Sequence, residues 1–111
     1  MISAEQIKEI LAQYKKHGWN LRRVLLSAPT GESLTDALES LFGETEIVLS
    51  ETDAAWFSRA SANSGEAWEL RRLSETPYAL FEIFDAEDDE DVREETRFEM
   101  QERLIKSAES Y

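Results

Sequence analysis

Leu49-Ser50-Glu51-Thr52 and Leu73-Ser74-Glu75-Thr76 are the same tetrapeptide, and each leads into an aromatic-bearing segment, Ala54–Phe57 after the first and Tyr78–Phe81 after the second. Ser, Asp, Thr and Pro are turn formers. The two stretches therefore read as tight turns, Ser50-Glu51-Thr52-Asp53 and Ser74-Glu75-Thr76-Pro77, each joining two strands. Taking Glu51-Thr52 and Glu75-Thr76 as the loop residues sets the pairing. Ile47 faces Trp56, Trp68 faces Ile83, and Leu70 faces Phe81. The looser Ser61–Gly65 link places Trp56 near Leu70. One face of the sheet then carries Ile47, Leu49, Trp56, Trp68, Leu70, Phe81 and Ile83 as a core. The other carries Val48, Phe57, Arg59, Glu69, Arg71, Leu73, Tyr78, Leu80, Glu82 and Phe84. A slip of one residue would exchange the faces.

Upstream, residues 3–17 have the pattern of an amphipathic helix. Ile7, Ile10, Leu11 and Tyr14 share one side, Ser3 and Gln6 are spaced as a capping box, and Gly18 supplies the stop. Trp19–Ser27 reads as a strand around Val24-Leu25-Leu26, Ala28-Pro29-Thr30-Gly31 as a turn, Ser33–Phe42 as a second helix and Glu46–Ser50 as a strand. Strand, helix and strand in so short a span form a βαβ unit, so the first two strands should run parallel. The last segment, Asp85–Tyr111, opens on an acidic run whose carboxylates suit a helix N-terminus. Its apolar stripe, Val92, Thr96, Met100 and Leu104 with Phe98 and Ile105 beside it, is thin for its length.

The expected fold is thus one α/β (α+β) domain over residues 1–111, with a five-stranded, mostly antiparallel mixed sheet and three flanking helices in the order α-β-α-β-β-β-β-α.

Charge is the strongest global property. Twelve Lys and Arg against 24 Asp and Glu give a formal net charge of −12. Such a field repels phosphate backbones and anionic membranes, so neither nucleic acid nor membrane is an expected direct partner. The chain has no cysteine, which removes disulfides, thiol nucleophiles and thiolate metal sites. The N-terminus lacks a secretory layout, no apolar run is long enough to span a bilayer, and a cytoplasmic, bacterial-type protein is expected.

No motif of chemistry is met in full. The run Asp85–Asp91 has no glycine for the sharp turn of a calcium loop. Ser27–Ser33 sits where a phosphate loop belongs but has one Gly and no Lys. His17 is the single histidine and falls at a helix end, where the dipole accounts for it. Asp53 with Glu69-Leu70-Arg71 has Arg where a metal nuclease needs Lys. No cofactor or metal is expected.

What remains is the mixed sheet face. Aromatics and Arg are the residue types that anchor protein interfaces. Phe57, Arg59, Glu69, Arg71, Tyr78, Leu80, Glu82 and Phe84 are accordingly the candidate partner-binding residues of a non-enzymatic interaction module, which binds a protein or a second copy of itself. Two other classes compete with it. One is an acidic mimic of nucleic acid, with carboxylates along the last helix engaging a basic DNA-binding protein. The other is a small enzyme using Glu69 and Glu82, expected opposite each other, as acid and base.

Overall fold

The computed structural model describes residues 2–109. Helix α1 (Ala4–Lys16) is followed by β1 (Asn20–Leu26), α2 (Ala28–Ser33), a 3-10 turn at Thr35–Ala37 and α3 (Leu38–Phe42). Then come β2 (Glu46–Leu49), β3 (Ala54–Ala60), β4 (Glu66–Arg72), β5 (Ala79–Phe84) and α4 (Glu90–Glu109). The five strands form one mixed sheet in the order β2-β1-β3-β4-β5, parallel between β1 and β2 and antiparallel elsewhere. The expected class is therefore the observed one, with the second helix delivered in short pieces. No helix among the described residues is long and apolar enough to cross a membrane.

Local chemistry explains where elements begin. The capping box is formed: Ser3 Oγ accepts from the Gln6 N–H at 3.2 Å, and Gln6 Oε1 accepts from the Ser3 N–H at 2.9 Å. Gly18, at φ 83°, ends that helix in a conformation that costs glycine little. Ala28–Gly31, expected as a turn, is instead the start of α2. Pro29 fits a first helical turn, where its missing N–H leaves no bond unmade. The cap comes from a distance: the Asp53 carboxylate accepts from the Ser27 N–H at 2.7 Å and the Thr30 hydroxyl at 2.6 Å.

Two pairing expectations are corrected. Strands β2 and β3 do not form a hairpin, because β1 lies between them; Ile47 pairs with Val24, and Trp56 pairs with Arg23 and Leu70. Val24, Leu25 and Leu26 are all buried, as befits a central strand covered on both faces, and β1 uses both its edges to reach that position. The β4–β5 register is also one residue away from that expected. Trp68 pairs with Glu82, Leu70 with Leu80 and Glu69 with Phe81. The cause is the loop. The Arg72 N–H donates to Tyr78 O, whereas the Leu73 N–H turns away to Asp53 O and its side chain enters the core. Leu73–Pro77 is thus an odd-numbered loop, and Pro77 has no N–H to extend the ladder.

The sheet consequently has a core on each face. Under α1, α2 and α3 lie Ile7, Val24, Leu26, Leu34, Phe42, Ala55, Phe57 and Leu73. Under α4 lie Leu25, Ala54, Trp56, Trp68, Leu70, Phe84, Met100 and Leu104. Trp56, Trp68 and Leu70 are core, as expected. Phe81 and Ile83, expected beside them, are on the opposite face at 51% and 52% exposure, and Ile47 and Leu49 sit exposed on edge strand β2.

Candidate functional site

Two features combine unusual chemistry with accessibility, one on each face of the sheet. On the α1 side, aromatic rings form a chain from core to surface. Tyr14 stacks on Phe57 with centroids 3.9 Å apart, Trp19 meets Tyr14 edge-on at 6.1 Å, and Phe81 meets Trp19 at 6.3 Å. The Arg59 guanidinium lies 4.5 Å from the Trp19 ring centroid and donates to the His17 carbonyl at 2.9 Å. Glu69 accepts a short hydrogen bond from the Tyr14 hydroxyl. Burial, followed by that bond to Glu69, pushes the Tyr14 phenol well above its ordinary pKa. Two open depressions of about 410 and 670 Å³ flank Tyr14, the first reaching Arg59 and Glu69 and the second Arg71. Beyond them Phe81 and Ile83 stand out from β5, whose outer edge pairs with no strand among the described residues.

The eight residues singled out from sequence do not share a face. Arg59, Glu69 and Arg71 belong to the α1 side, with Glu69 diagonal to Arg59 as expected. Phe57 is on that side too but is 1% exposed beneath Tyr14, so it supports the surface rather than forming it. Leu80, Glu82 and Phe84 alternate to the α4 side, where Tyr78 also packs. Leu80 and Tyr78 are half-buried and Phe84 is buried, while Glu82 is exposed. Glu69 and Glu82 therefore lie on opposite faces, and the carboxylate pair expected of a small enzyme is not formed. Tyr14, Trp19, Phe81 and Ile83 are the members of the α1-side surface that sequence reasoning did not assign to it.

On the other face, the decisive device is a β-bulge. Leu21 pairs with Phe57 and Arg23 with Trp56, so Arg22 is the extra residue between them. A bulge of this kind turns two consecutive side chains toward one face. Arg22 and Arg23 accordingly line a single cavity of about 280 Å³ with Trp56, Trp68 and, from α4, Arg97. The Arg22 and Arg97 guanidinium carbons lie 5.5 and 4.5 Å from the Trp68 ring centroid. Glu66, Glu90 and Glu94 complete the lining.

The inner stripe of α4 explains how that helix packs despite its thin apolar pattern. Arg93, Arg97, Met100 and Leu104 recur at helical spacing. The two arginines spread over Phe84 and Trp68 and supply apolar stems where the expected stripe would have put Val92 and Thr96. Arg93 pairs with Glu66 at 2.8 Å. Arg97 donates to Glu94 at 2.6 Å and, more closely, to Glu90. Burial opposes the Arg97 charge, yet the bonds to Glu94 and Glu90 prevail and hold its pKa above the usual guanidinium value. The hydrogen bond from Arg97 holds the Glu94 carboxyl below its usual range. Val92 and Phe98 face outward at 52% and 61% exposure among carboxylates.

Among the described residues no group of three or more His, Cys, Asp or Glu is placed to hold a metal ion. No family model, no curated protein and no solved structure matches this chain.

Proposed function

We propose that this chain is a non-enzymatic protein-interaction module whose working surface is the α1-side face at β5, and that its partner there is a second copy of the chain. The observation that carries the reading is the exposure of Phe81 and Ile83 on an edge strand, next to Trp19 and flanked by Arg59, Glu69 and Arg71. Edge strands are commonly guarded by Lys, Pro or a bulge. Strand β5, Ala79-Leu80-Phe81-Glu82-Ile83-Phe84, contains neither Lys nor Pro, and its pairing with β4 runs without a register break. A two-fold interface must be complementary to itself. A patch with both Arg and Glu around an apolar centre meets that requirement.

Sedimentation velocity at low and high salt tests the reading, comparing wild type with Phe81→Ser/Ile83→Ser. Both side chains are exposed, so the variant keeps its fold. Wild type dimerises, more strongly as salt screens the repulsion between two chains of −12 each, and the variant stays monomeric. A wild type that remains monomeric at about 1 mM in high salt, where even a Kd of that order would register, overturns it.

A second reading has its own support. Because Arg93 and Arg97 fold inward, the outer side of α4 keeps Glu95, Glu99 and Glu102 without those cations among them, with Phe98 between. Such a surface suits a basic partner, including a DNA-binding protein. Its salt dependence has the opposite sign: binding weakens as salt rises.

A further inference from the structure

We infer that the cavity between the Arg22 bulge and α4 is a binding site for a small organic monocarboxylate, held by Arg22 and Arg23 beside the buried Trp56 and Trp68. The site is independent of the β5 surface and lies on the opposite face of the sheet.

Hydrogen-bond accounting around the cavity identifies the ligand's chemistry. Acidic residues outnumber basic ones two to one in this chain, so an arginine has carboxylates in easy supply. Arg93 takes Glu66, Arg97 takes Glu90 and Glu94, and Arg23 takes Glu46 through its Nε at 2.7 Å. Arg22 has no hydrogen bond or ion pair with any described residue; its one contact of note is with the Trp68 ring. The three arginines and three glutamates of the lining balance in charge, but because Arg97 takes two of the carboxylates, Arg22 is left without a hydrogen-bonded partner among the described residues, and the terminal nitrogens of Arg23 beside it make no hydrogen bond with any described residue. A guanidinium presents parallel N–H donors that match a carboxylate's two oxygens.

The neighbours restrict the ligand further. Glu66, Glu90 and Glu94 line the same cavity, so a dianion such as phosphate meets repulsion that a monoanion largely escapes. Trp56 and Trp68, at 1% and 8% exposure, border the cavity without offering it a broad apolar wall, so the guanidinium donors supply the contacts. About 280 Å³ lies just below the roughly 300–1,000 Å³ typical of drug-sized ligands, which suits a metabolite-sized acid.

Three tryptophans make the test direct, because Trp56 and Trp68 line the cavity while Trp19 lies on the other face. The indole N–H resonances of the ¹⁵N-labelled full chain are followed during titration with sodium benzoate, and separately with inorganic phosphate and sodium chloride at matched ionic strength. Benzoate moves the Trp68 and Trp56 signals saturably and leaves Trp19 in place. Arg22→Ala raises the apparent Kd at least tenfold, and Arg22→Lys raises it less. Arg22 is exposed, and an unchanged Trp19 signal verifies that each variant is folded. Equal shifts with chloride, tighter binding of phosphate than of benzoate, or an Arg22→Ala titration identical to wild type would each overturn the assignment.

Discussion

Exchanging Phe84 and Ile83 separately for alanine tests the parity of β5, on which the α1-side surface rests. Phe84 is 3% exposed in the α4-side core, with the guanidinium carbons of Arg93 and Arg97 lying 5.7 and 6.0 Å from its ring centroid. Removing a buried phenyl group costs about 3–5 kcal/mol through lost transfer free energy and the cavity left behind. Ile83 is half exposed and gives up less than half of that transfer term. Its loss should stay near 1 kcal/mol, in line with the small effects of substitutions away from a packed core. With an m-value of roughly 1.5 kcal/mol/M in urea for a chain of this size, Phe84→Ala lowers the midpoint by at least ~2 M. The corresponding drop in Tm is roughly 12–20 °C, at about 4 °C per kcal/mol. Urea titrations followed by far-ultraviolet circular dichroism give both values under the same conditions. An Ile83→Ala cost equal to or above that of Phe84→Ala would refute the register and with it the exposure of Phe81.

Two further outcomes follow from local geometry. A Cβ added at Gly65 would meet the backbone carbonyl oxygen of Phe84 at 2.5 Å, so Gly65→Ala forces β5 away from the Ser61–Gly65 loop. A cost of about 1–3 kcal/mol is expected in the same urea titration, and a neutral substitution would contradict this close approach. Tyr14 supplies a pH prediction. Burial and Glu69 raise its folded pKa above the unfolded value near 10. Its contribution to stability is therefore complete below about pH 10 and declines as the pH rises from there toward the folded pKa. Tyr14→Phe should flatten the fall of the urea midpoint between about pH 9 and 11, and equal slopes in the two proteins would show that Tyr14 is not held protonated by the fold.

The legible parts of the sequence were those written in short-range chemistry. Ser3 and Gln6 announce α1, Gly18 ends it, and the βαβ spacing gives the parallel β1–β2 pair. The pairing of Trp56 with Leu70 also followed from counting across Ser61–Gly65. Long-range choices were not legible. The Leu73 N–H can bond within the hairpin or to Asp53, and that choice alone sets whether Phe81 or Phe84 is buried. Asp53 reads as a turn residue until α2 is folded beside it. In the candidate cavity, a bulge at Arg22 leaves no mark in composition. Arg93 and Arg97, in helical register with Met100 and Leu104, were the one available signal that arginine stems extend the stripe of α4. The α1-side surface was half legible: Arg59, Glu69 and Arg71 were assigned together, and the slip in β5 hid its apolar members.

The central position of β1 bears on the order in which the chain assembles. Rungs within β3–β4–β5 join residues no farther apart than Ala54 and Arg72 or Glu66 and Phe84, whereas the β1–β3 ladder spans from Leu25 to Ala54 at its shortest and from Asn20 to Ser58 at its longest. Closing longer loops costs more entropy before any contact repays it. The three-stranded meander is thus the cheap half to nucleate, and the docking of β1 onto β3 is the step that sets the folding rate. By that logic the bulge at Arg22 lies in the slowest-forming seam of the sheet, so its sequence governs how fast the protein matures as well as what the finished cavity holds.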